Sequence, residues 1–375
     1  MAIQARAALL WEQPGKWQVQ DVEIPDHPGP HEVLVEMVSS GLCHSDDHVT
    51  TGDLPVGHFP YCGGHEGSGI IREVGPEVRE LEVGDHIVTS FIPACGTCRW
   101  CAAGNSNLCD YGAVVLAGTQ IDGTFRMKMP DGADVARFSG LGTFANWEIL
   151  DEVSVVKIRD DVPLNVACLV ACGVPTGFGS AHDVAGVETG DVVIVMGSGG
   201  IGINAVQGAA LAGASHVIVA DPQPLKREVA LKVGATEAFA SIDEAADFAR
   251  SITDGQGADA AIVTVGVIRG EHVGQAFSAV AKTGTVVVTA LGNIAEIGIP
   301  VSLFELAMFQ KRVQGVLYGN GSPRASVPRL LDLYAAGRLH LDELITTRYP
   351  LEQINQGYED MHAGKNIRGV IDFEH

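Results

Sequence analysis

The sequence predicts an irregular, mostly β domain followed by an α/β domain with a doubly wound parallel sheet. Its 375 residues are enough for two domains of ordinary size. Residues 1–173 are rich in Gly, Pro and Val and contain short apolar runs between turn residues, which is typical of strands. Residues 174–317 alternate short apolar runs with helix-like stretches, which indicates parallel strands joined by crossover helices. Residues 318–375 are expected to return to the first domain.

These patterns also predict the individual elements. In the first domain, strands are predicted at Leu34–Val38, Ile70–Val74 and His86–Thr89. In the second, strands are predicted at Val192–Met196, Val217–Ala220, Ala260–Val265, Thr285–Ala290 and Val313–Val316. The helices between them are predicted at Ile201–Ala212, Leu225–Val233, Ile242–Ile252 and Val273–Ala281. The last segment is predicted to contain helices at Val327–Ala336 and Leu351–Ala363 and a strand at Gly369–Phe373.

The charge of the chain limits its partners. There are 24 basic and 46 acidic residues, so the net charge is −22, and such a surface repels the phosphates of nucleic acid. No apolar run reaches the length of a membrane span, and the first ten residues lack the pattern of a secretory signal. We therefore expect a cytoplasmic protein with no membrane partner. Its eight cysteines would stay reduced there, so clustered cysteines indicate metal ligands.

A glycine-rich turn follows the predicted strand Val192–Met196 and begins the next helix. Gly197–Gly202 fits G-x-G-x-x-G, in which the glycines allow a tight turn and let a pyrophosphate reach the helix N-terminus. Asp221 ends the next strand, where a carboxylate accepts hydrogen bonds from ribose hydroxyls and repels a 2′-phosphate. The sequence thus predicts a Rossmann domain that binds NAD rather than NADP, with a glycine turn that holds no nucleotide as the alternative. The predicted nucleotide contacts are Gly197, Gly199, Gly200, Ile201, Gly202, Asp221 and Lys226.

Four cysteines within one short lobe, residues 93–112, predict a structural zinc site. Cys95, Cys98, Cys101 and Cys109 have the spacing C-x2-C-x2-C-x7-C, and four thiolates suit a closed tetrahedral zinc site. An iron–sulfur cluster is the main alternative, because C-x2-C-x2-C also occurs in ferredoxins. In ferredoxins the fourth cysteine is usually closer and followed by proline, whereas Cys109 is followed by Asp110.

A second metal site is suggested by three separate segments. Cys43, His65 and Cys172 would supply two sulfurs and one nitrogen, which leaves the fourth position for water or substrate, as in catalytic zinc sites. Their spacing alone does not establish that they meet.

Taken together, these residues resemble the zinc-containing medium-chain alcohol dehydrogenases over nearly the whole chain. The shared features, which occur in the same order, are Gly64-His65-Glu66, the four-cysteine lobe, the glycine-rich turn and Asn366-Ile367-Arg368-Gly369. The resemblance implies a GroES-like catalytic domain, two zinc ions per chain, NAD(H), a small alcohol or aldehyde as substrate, and a homo-oligomer.

The resemblance also implies roles for individual residues. Cys43, His65 and Cys172 match the catalytic zinc ligands, and Glu66 matches a residue that binds the metal transiently. Asp46 matches the carboxylate that orients the zinc-bound histidine. The remaining matches are Ser45 and His48 in the proton relay, Thr176 beside the nicotinamide, His44 and Arg368 at the pyrophosphate, and Phe91, Phe138 and Leu54 in the substrate pocket.

Within the family, the chain most resembles the nicotinoprotein, or NDMA-dependent, alcohol dehydrogenases. The resemblance includes Gly52-Asp53-Leu54-Pro55 and Leu116-Ala117-Gly118. It implies an NAD that stays bound and is recycled in place by an external electron acceptor. An ordinary alcohol or polyol dehydrogenase, or an aldehyde reductase, with dissociable NAD(H) is the alternative. Glutathione-dependent formaldehyde dehydrogenase is less favoured, because Ala113 and Leu54 stand where those relatives have an arginine and an acidic residue.

Overall fold

The computed structural model describes residues 2–374, which form two compact units. The first unit contains the described residues up to Cys172, Ser322–Gly337, and those from Ile345 onward. The second contains Gly173–Gly321 and Arg338–Leu344.

The strands and α-helices of the described residues are numbered in chain order. The strands are β1 Ala2–Leu10, β2 Gln18–Pro25, β3 Glu32–Gly41, β4 Tyr61–Cys62, β5 Glu66–Val74, β6 His86–Thr89, β7 Met127–Lys128, β8 Asp134–Arg137, β9 Trp147–Asp151, β10 Val155–Lys157, β11 Val192–Met196, β12 His216–Ala220, β13 Glu237–Phe239, β14 Ala258–Val263, β15 Val280–Val288, β16 Arg312–Gly315, β17 Ile345–Tyr349 and β18 Arg368–Asp372. The helices are α1 His44–Thr51, α2 Arg99–Ala102, α3 Tyr111–Val115, α4 Leu164–Ala167, α5 Gly173–Gly179, α6 Gly202–Ala212, α7 Pro224–Lys232, α8 Ile242–Ile252, α9 Gly270–Ala279, α10 Leu303–Met308, α11 Pro323–Ala335 and α12 Ile354–His362.

The first unit is built from a small closed barrel and a larger, mostly antiparallel sheet. The barrel has the order β1-β2-β7-β8-β4, and the sheet has the order β10-β6-β5-β3-β18-β17 with β9 also paired to β3. Strand β3 lies inside this sheet, so its Val33, Val35 and Met37 are fully buried. The C-terminal strand β18 pairs with the end of β3, and Val370 lies opposite Gly41. This pairing brings the end of the chain next to the residues that precede α1.

The second unit is a parallel sheet with the order β13-β12-β11-β14-β15-β16. Its first strand, β11, pairs with β12 on one side and with β14 on the other. The strand order therefore reverses at β11. Ligands of such sheets bind beyond the carboxyl ends of the strands at this reversal. All five residues of β11 are buried, as expected for a parallel strand in the middle of a sheet. The predicted fold class, a Rossmann domain plus a mostly β domain, is therefore confirmed.

Some element limits were predicted wrongly. β15 starts at Val280, five residues before the predicted Thr285, and β13 was not predicted at all. Lys282 and Thr283 in the first part of β15 are exposed, so this part has no apolar run. The short strand β13 is only half-buried, so it too lacks the apolar signal of its neighbours.

No single helix among residues 2–374 is long and apolar enough to cross a membrane. One bent pair of short helical stretches, Leu164–Ala171 and Gly173–Ala185, passes the same test by length and composition only. Most of these residues are buried inside the protein, as in the core helices of many globular proteins.

Candidate active site and metal centres

The four cysteines of the lobe converge as their spacing predicts. The sulfurs of Cys95, Cys98, Cys101 and Cys109 all lie within 4.8 Å of one another. Cys98 caps α2, so the N–H of Cys101 points back to its sulfur at 3.5 Å, and the N–H of Cys98 donates to the sulfur of Cys95 at 3.3 Å. Burial opposes ionisation of Cys95, but hydrogen bonds from Cys98 and Thr97 lower its pKa to about 6. Hydrogen bonds also lower the pKa of Cys98, whereas burial raises the pKa of Cys109 to about 12. The lobe thus favours thiolates at Cys95 and Cys98, and thiolates are the form that a zinc ion binds.

The three dispersed donors also meet, in the interior of the first unit. The ligand atoms of Cys43, His65, Glu66 and Cys172 lie within 4.8 Å of one another, and all four residues are buried. Cys43 follows β3 and precedes α1, whereas His65 and Glu66 stand at the start of β5. The pairing of Gly41 with Glu66 across β3 and β5 brings these two segments together. Two sulfurs and one imidazole form the donor set of a catalytic zinc site, so the residues present fit the metal.

A buried carboxylate orients the imidazole of this cluster. Asp46 Oδ2 lies 3.1 Å from His65 Nδ1, and Asp46 Oδ1 accepts a 2.6 Å hydrogen bond from the N–H of Gly64. Burial raises the pKa of Asp46, while His65 acts in the opposite direction. Because Nδ1 faces Asp46, Nε2 is the ring nitrogen left for a metal. The family resemblance predicted that Asp46 orients a zinc-bound histidine, and this role stays a prediction.

The two thiols of the dispersed cluster influence each other directly. A hydrogen bond from Cys172 lowers the pKa of Cys43 well below its usual range, although burial opposes this shift. The same hydrogen bond, together with burial, raises the pKa of Cys172. A divalent cation bound by both sulfurs would require both thiols to lose their protons.

Glu66 and Arg368 form a buried ion pair next to the thiols. The guanidinium of Arg368 contacts the carboxylate of Glu66, and both side chains are at most 5% exposed. Burial raises the pKa of Glu66 to about 7, with Arg368 acting in the opposite direction. The sequence suggested Arg368 as a pyrophosphate contact, and this remains a prediction.

Two aromatic rings lie against His65. The ring of Phe138 is 4.9 Å from the imidazole and that of Phe91 is 5.6 Å away, each oriented edge-on. Leu54, the third predicted pocket residue, is half-buried and packs against the apolar core of the same unit. An apolar wall thus adjoins the donor cluster.

The predicted relay residues belong to α1. The thiol of Cys43 lies 3.7 Å from the hydroxyl of Ser45, close enough to donate a weak hydrogen bond. His48 lies one turn further along the helix and is buried. His44, at the start of the helix, is half-buried, and its ring is 6.5 Å from that of His362. His362 in turn contacts Asp47 at 2.8 Å.

The glycine-rich turn of the second unit connects β11 to α6. A Cβ on Gly202 would stand only 1.8 Å from the carbonyl oxygen of Gly197, so no other residue fits this turn. Ile201 is the residue before α6, and Gly199 and Gly200 complete the turn. Lys226 Nζ lies 3.9 Å from the position that a Cβ on Gly199 would occupy.

Asp221 is held at this turn by a residue that the sequence analysis missed. Its Oδ2 accepts hydrogen bonds from the N–H of Ser198 at 2.7 Å and from the Ser198 hydroxyl at 3.3 Å. Its Oδ1 accepts one from the N–H of Gln223 at 2.9 Å. Ser198 is one of the variable positions of the motif, so only the pairing of β11 with β12 identifies it. Thr176, in α5, is buried, and its hydroxyl has no hydrogen-bond partner among residues 2–374.

The fold and the donor sets define the class of zinc-binding dehydrogenases. Residues 29–160 match the family model of the alcohol dehydrogenase GroES-like domain, and residues 200–336 match that of the zinc-binding dehydrogenases. The chain is 50% identical over 365 residues to putative alcohol dehydrogenase D of Mycobacterium tuberculosis, with 97% of this chain and 98% of the relative covered. It is 49% identical over 369 residues to the NDMA-dependent alcohol dehydrogenase of Amycolatopsis methanolica, with 98% and 99% covered.

A solved structure agrees with these sequence matches. The alcohol dehydrogenase zinc-binding domain protein of Burkholderia ambifaria superimposes with a TM-score of 0.93 at 30% identity and covers all of both chains. This chain therefore belongs to the zinc-containing alcohol dehydrogenase family. As the sequence predicted, it is an oxidoreductase whose cofactors are zinc and NAD(H).

Proposed function

We propose that this protein oxidises a small alcohol with an NAD that stays bound and is recycled in place by an external electron acceptor. The observation that supports this subtype is the 49% identity, over nearly the full length of both chains, to a relative named as NDMA-dependent. An ordinary dehydrogenase with dissociable NAD(H) is the alternative, favoured by the relatives named simply as alcohol dehydrogenases.

In this proposal the two cysteine clusters have different roles. Cys43, His65 and Cys172 hold the catalytic zinc, with Glu66 as a nearby further donor. Cys95, Cys98, Cys101 and Cys109 hold the structural zinc. When bound there, zinc would supply Lewis-acid chemistry at the alcohol oxygen, and NAD+ would supply the hydride acceptor.

The remaining site residues orient groups, exclude water and move the proton. Asp46 fixes the imidazole of His65, since its carboxylate faces Nδ1. Phe91, Phe138 and Leu54 line the substrate pocket with apolar surface. Ser45 accepts the proton that the alcohol loses, and His48 transfers it to solvent. The proposed nucleotide contacts are Gly197, Gly199, Gly200, Ile201, Gly202, Asp221, Lys226, Thr176, His44 and Arg368.

We assign the catalytic domain to residues 1–173 together with residues 318–375, and the NAD-binding domain to residues 174–317. Asp221 is the reason to prefer NAD within this assignment. Its carboxylate is already fixed by Ser198 and Gln223, so it would face a 2′-phosphate as a localised negative charge.

The proposed subtype is tested by denaturing the purified, desalted protein and assaying the supernatant for nucleotide. About one NAD(H) per chain, together with alcohol oxidation that needs NDMA and no added NAD, is the expected result. An empty supernatant, with oxidation that needs added NAD, would instead establish the ordinary dehydrogenase.

We further propose that the enzyme is a homo-oligomer. The second unit exposes several large apolar side chains within one stretch of chain: Ile294, Ile297, Leu303, Phe304 and Met308. Monomeric proteins rarely leave so much apolar surface in water. The neighbouring strand β16 is at the edge of the parallel sheet and, among residues 2–374, pairs with β15 alone, so its other edge can pair with a second copy. Light scattering should give a dimer or larger for the wild type and a smaller species for Phe304→Glu.

A further inference from the structure

The loop after α1 folds back onto the helix that carries the proposed relay. Gly52 ends α1 with a φ of +85°, a left-handed conformation that glycine adopts without strain. The N–H of Leu54 then donates to the carbonyl oxygen of His48 at 2.9 Å. This reversal brings Asp53, five residues after His48, back beside the imidazole.

The resulting contact is between a buried histidine and a carboxylate that reaches solvent. Asp53 Oδ2 lies 3.3 Å from His48 Nδ1; the side chain of His48 is 5% exposed and that of Asp53 is 31% exposed. The other ring nitrogen, Nε2, is buried and has no hydrogen-bond partner among residues 2–374. The two nitrogens of this imidazole are therefore in different environments.

Neighbouring groups fix the loop in this position. The side-chain amide of Gln13 donates to the carbonyl oxygen of Leu54 at 3.0 Å and accepts from the N–H of Val56 at 3.1 Å. The hydroxyl of Thr51 donates to Asp53 Oδ2 at 3.1 Å. The carboxylate is thus held by the loop and by the hydroxyl as well as by its contact with the imidazole.

The two carboxylates of α1 itself are directed to other histidines. Asp46 faces His65 at 3.1 Å, and Asp47 contacts His362 at 2.8 Å. Each of these three carboxylates therefore contacts a different histidine, and the histidine that Asp53 contacts is His48. In the sequence, Asp53 is identified only as part of the family segment Gly52-Asp53-Leu54-Pro55, with no role of its own.

We propose that Asp53 is a positioning residue for His48, whose carboxylate accepts the Nδ1 proton and leaves Nε2 as the proton acceptor. This inference rests on the proposed relay and adds a third group to it. A carboxylate that binds one ring nitrogen selects the tautomer in which the other nitrogen carries the lone pair. For each alcohol oxidised, one hydride goes to NAD+ and one proton goes to Nε2, and that proton then leaves to solvent. Asp53 stays ionised throughout. It stabilises the imidazolium, which exists from the arrival of the proton at Nε2 until the proton leaves to solvent.

Asp53→Asn is the variant that tests this role. The amide is nearly isosteric with the carboxylate, but its NH2 can donate to Nδ1 and favour the wrong tautomer. Single-turnover hydride transfer is followed by the absorbance of the reduced nicotinamide, with saturating NAD+ and with ethanol or benzyl alcohol as the probe. We expect the rate at saturating alcohol to fall about tenfold, the lower end of the range for groups that orient a histidine. The half-saturating alcohol concentration should change less than about twofold, because binding is not affected.

Three further variants separate positioning from a structural role. Asp53→Glu keeps the carboxylate and should recover most of the rate. Thr51→Val removes one group that holds Asp53 but keeps the carboxylate, so it should lose less of the rate than Asp53→Asn. In a His48→Gln background, Asp53→Asn should have almost no further effect, because both substitutions disable the same group.

Two results would overturn the role of Asp53 while leaving the proposed function intact. One is a wild-type rate for Asp53→Asn, and the other is an equal fractional loss in the wild-type and His48→Gln backgrounds. A wild-type protein that oxidises neither alcohol, with bound or with added NAD+, would overturn the proposed function and the role of Asp53 with it.

Discussion

The two zinc sites of this enzyme are built from similar donors in very different ways. The lobe takes its four sulfurs from fifteen consecutive residues, Cys95 to Cys109, and its thiolates are stabilised by N–H groups of the same short loop. The proposed catalytic site joins Cys43 to Cys172, 129 positions apart in the chain, inside the protein. Its donors are surrounded by buried charged side chains rather than by backbone amides.

This difference determines what each site depends on. The lobe needs only its own turns, so its geometry can be inferred from spacing. The catalytic site needs the pairing of β3 with β5, which brings Gly41 opposite Glu66, and the buried carboxylate of Asp46 behind His65. Loss of a donor should therefore affect chemistry at the catalytic site and local folding at the lobe.

The largest expected effect is that of Cys43→Ala. Without this ligand the Lewis-acid contribution is lost, which is worth several kcal/mol, or roughly a thousandfold in turnover. The zinc content should fall by about one ion per chain, and the fold should persist because the lobe and the sheets are untouched. Elemental analysis, alcohol oxidation and circular dichroism measure these three results.

Cys62→Ala is the matched control for Cys43→Ala. Cys62 is also a fully buried thiol in the first unit, but it belongs to neither donor cluster. Its truncation should leave zinc content and turnover close to the wild-type values. Full turnover in a zinc-depleted Cys43→Ala protein would contradict the assignment of the catalytic site.

Cys98→Ala should have the next largest effect, and mainly on structure. Cys98 is both a donor and the N-cap of α2, so its loss should release the structural zinc and unfold the lobe locally. We expect faster proteolysis within residues 93–112 and a smaller loss of turnover than for Cys43→Ala. A lobe that keeps its zinc and its protease resistance without Cys98 would contradict the four-cysteine site.

How far the sequence predicts each site follows from the same contrast. The four lobe cysteines and the glycine-rich turn are local patterns, and both were identified from spacing. Helix α8 was likewise predicted with its observed limits, Ile242–Ile252, from its helical composition. In the structure Ser241 and Glu244 form a capping box at its start. Such signals need no knowledge of the rest of the fold.

Other contacts depend on tertiary structure and had no signal of their own. Ser198 reaches Asp221, 23 residues later, only because β11 and β12 pair in parallel. The ion pair of Arg137 with Glu148 joins the ends of β8 and β9 in the interior, and nothing in their spacing suggested it. Gly52 was the one available clue to the position of Asp53, since a glycine after a helix predicts a reversal of the chain.

A third, moderate effect is expected for Asp46→Asn, which keeps the shape of the group behind His65 but removes its charge. Substitution of such orienting groups typically costs 10–100-fold in metal affinity or activity. We therefore expect a loss of about tenfold or more in turnover and easier removal of one zinc by a chelator. The lobe zinc should be unaffected, because it has no comparable carboxylate behind it. Equal chelator sensitivity of both zinc ions would remove the distinction between the two sites.

The smallest expected effect concerns a buried carboxylate outside both sites. Glu148 and Arg137 are at most 1% exposed and lie 2.5 Å apart. Burial raises the pKa of Glu148 from 4.5 to about 8, although Arg137 opposes this. A carboxyl whose pKa is higher in the folded state stabilises the protein fully below its unfolded value, and this contribution is lost as the pH rises through the folded value. As the pH rises from the unfolded pKa of Glu148 to its folded pKa, the free energy of unfolding should fall by up to about 1.4 kcal/mol per pH unit because of this residue.

Glu148→Gln cannot ionise, so its unfolding free energy should depend less on pH over the same window. Urea unfolding of both proteins at several pH values gives the difference in slope, in which the groups common to both cancel. A wild type that becomes more stable than Glu148→Gln as the pH rises would mean that Arg137 outweighs burial and keeps Glu148 ionised. In that case Glu148 would be ionised beside Arg137 despite its burial.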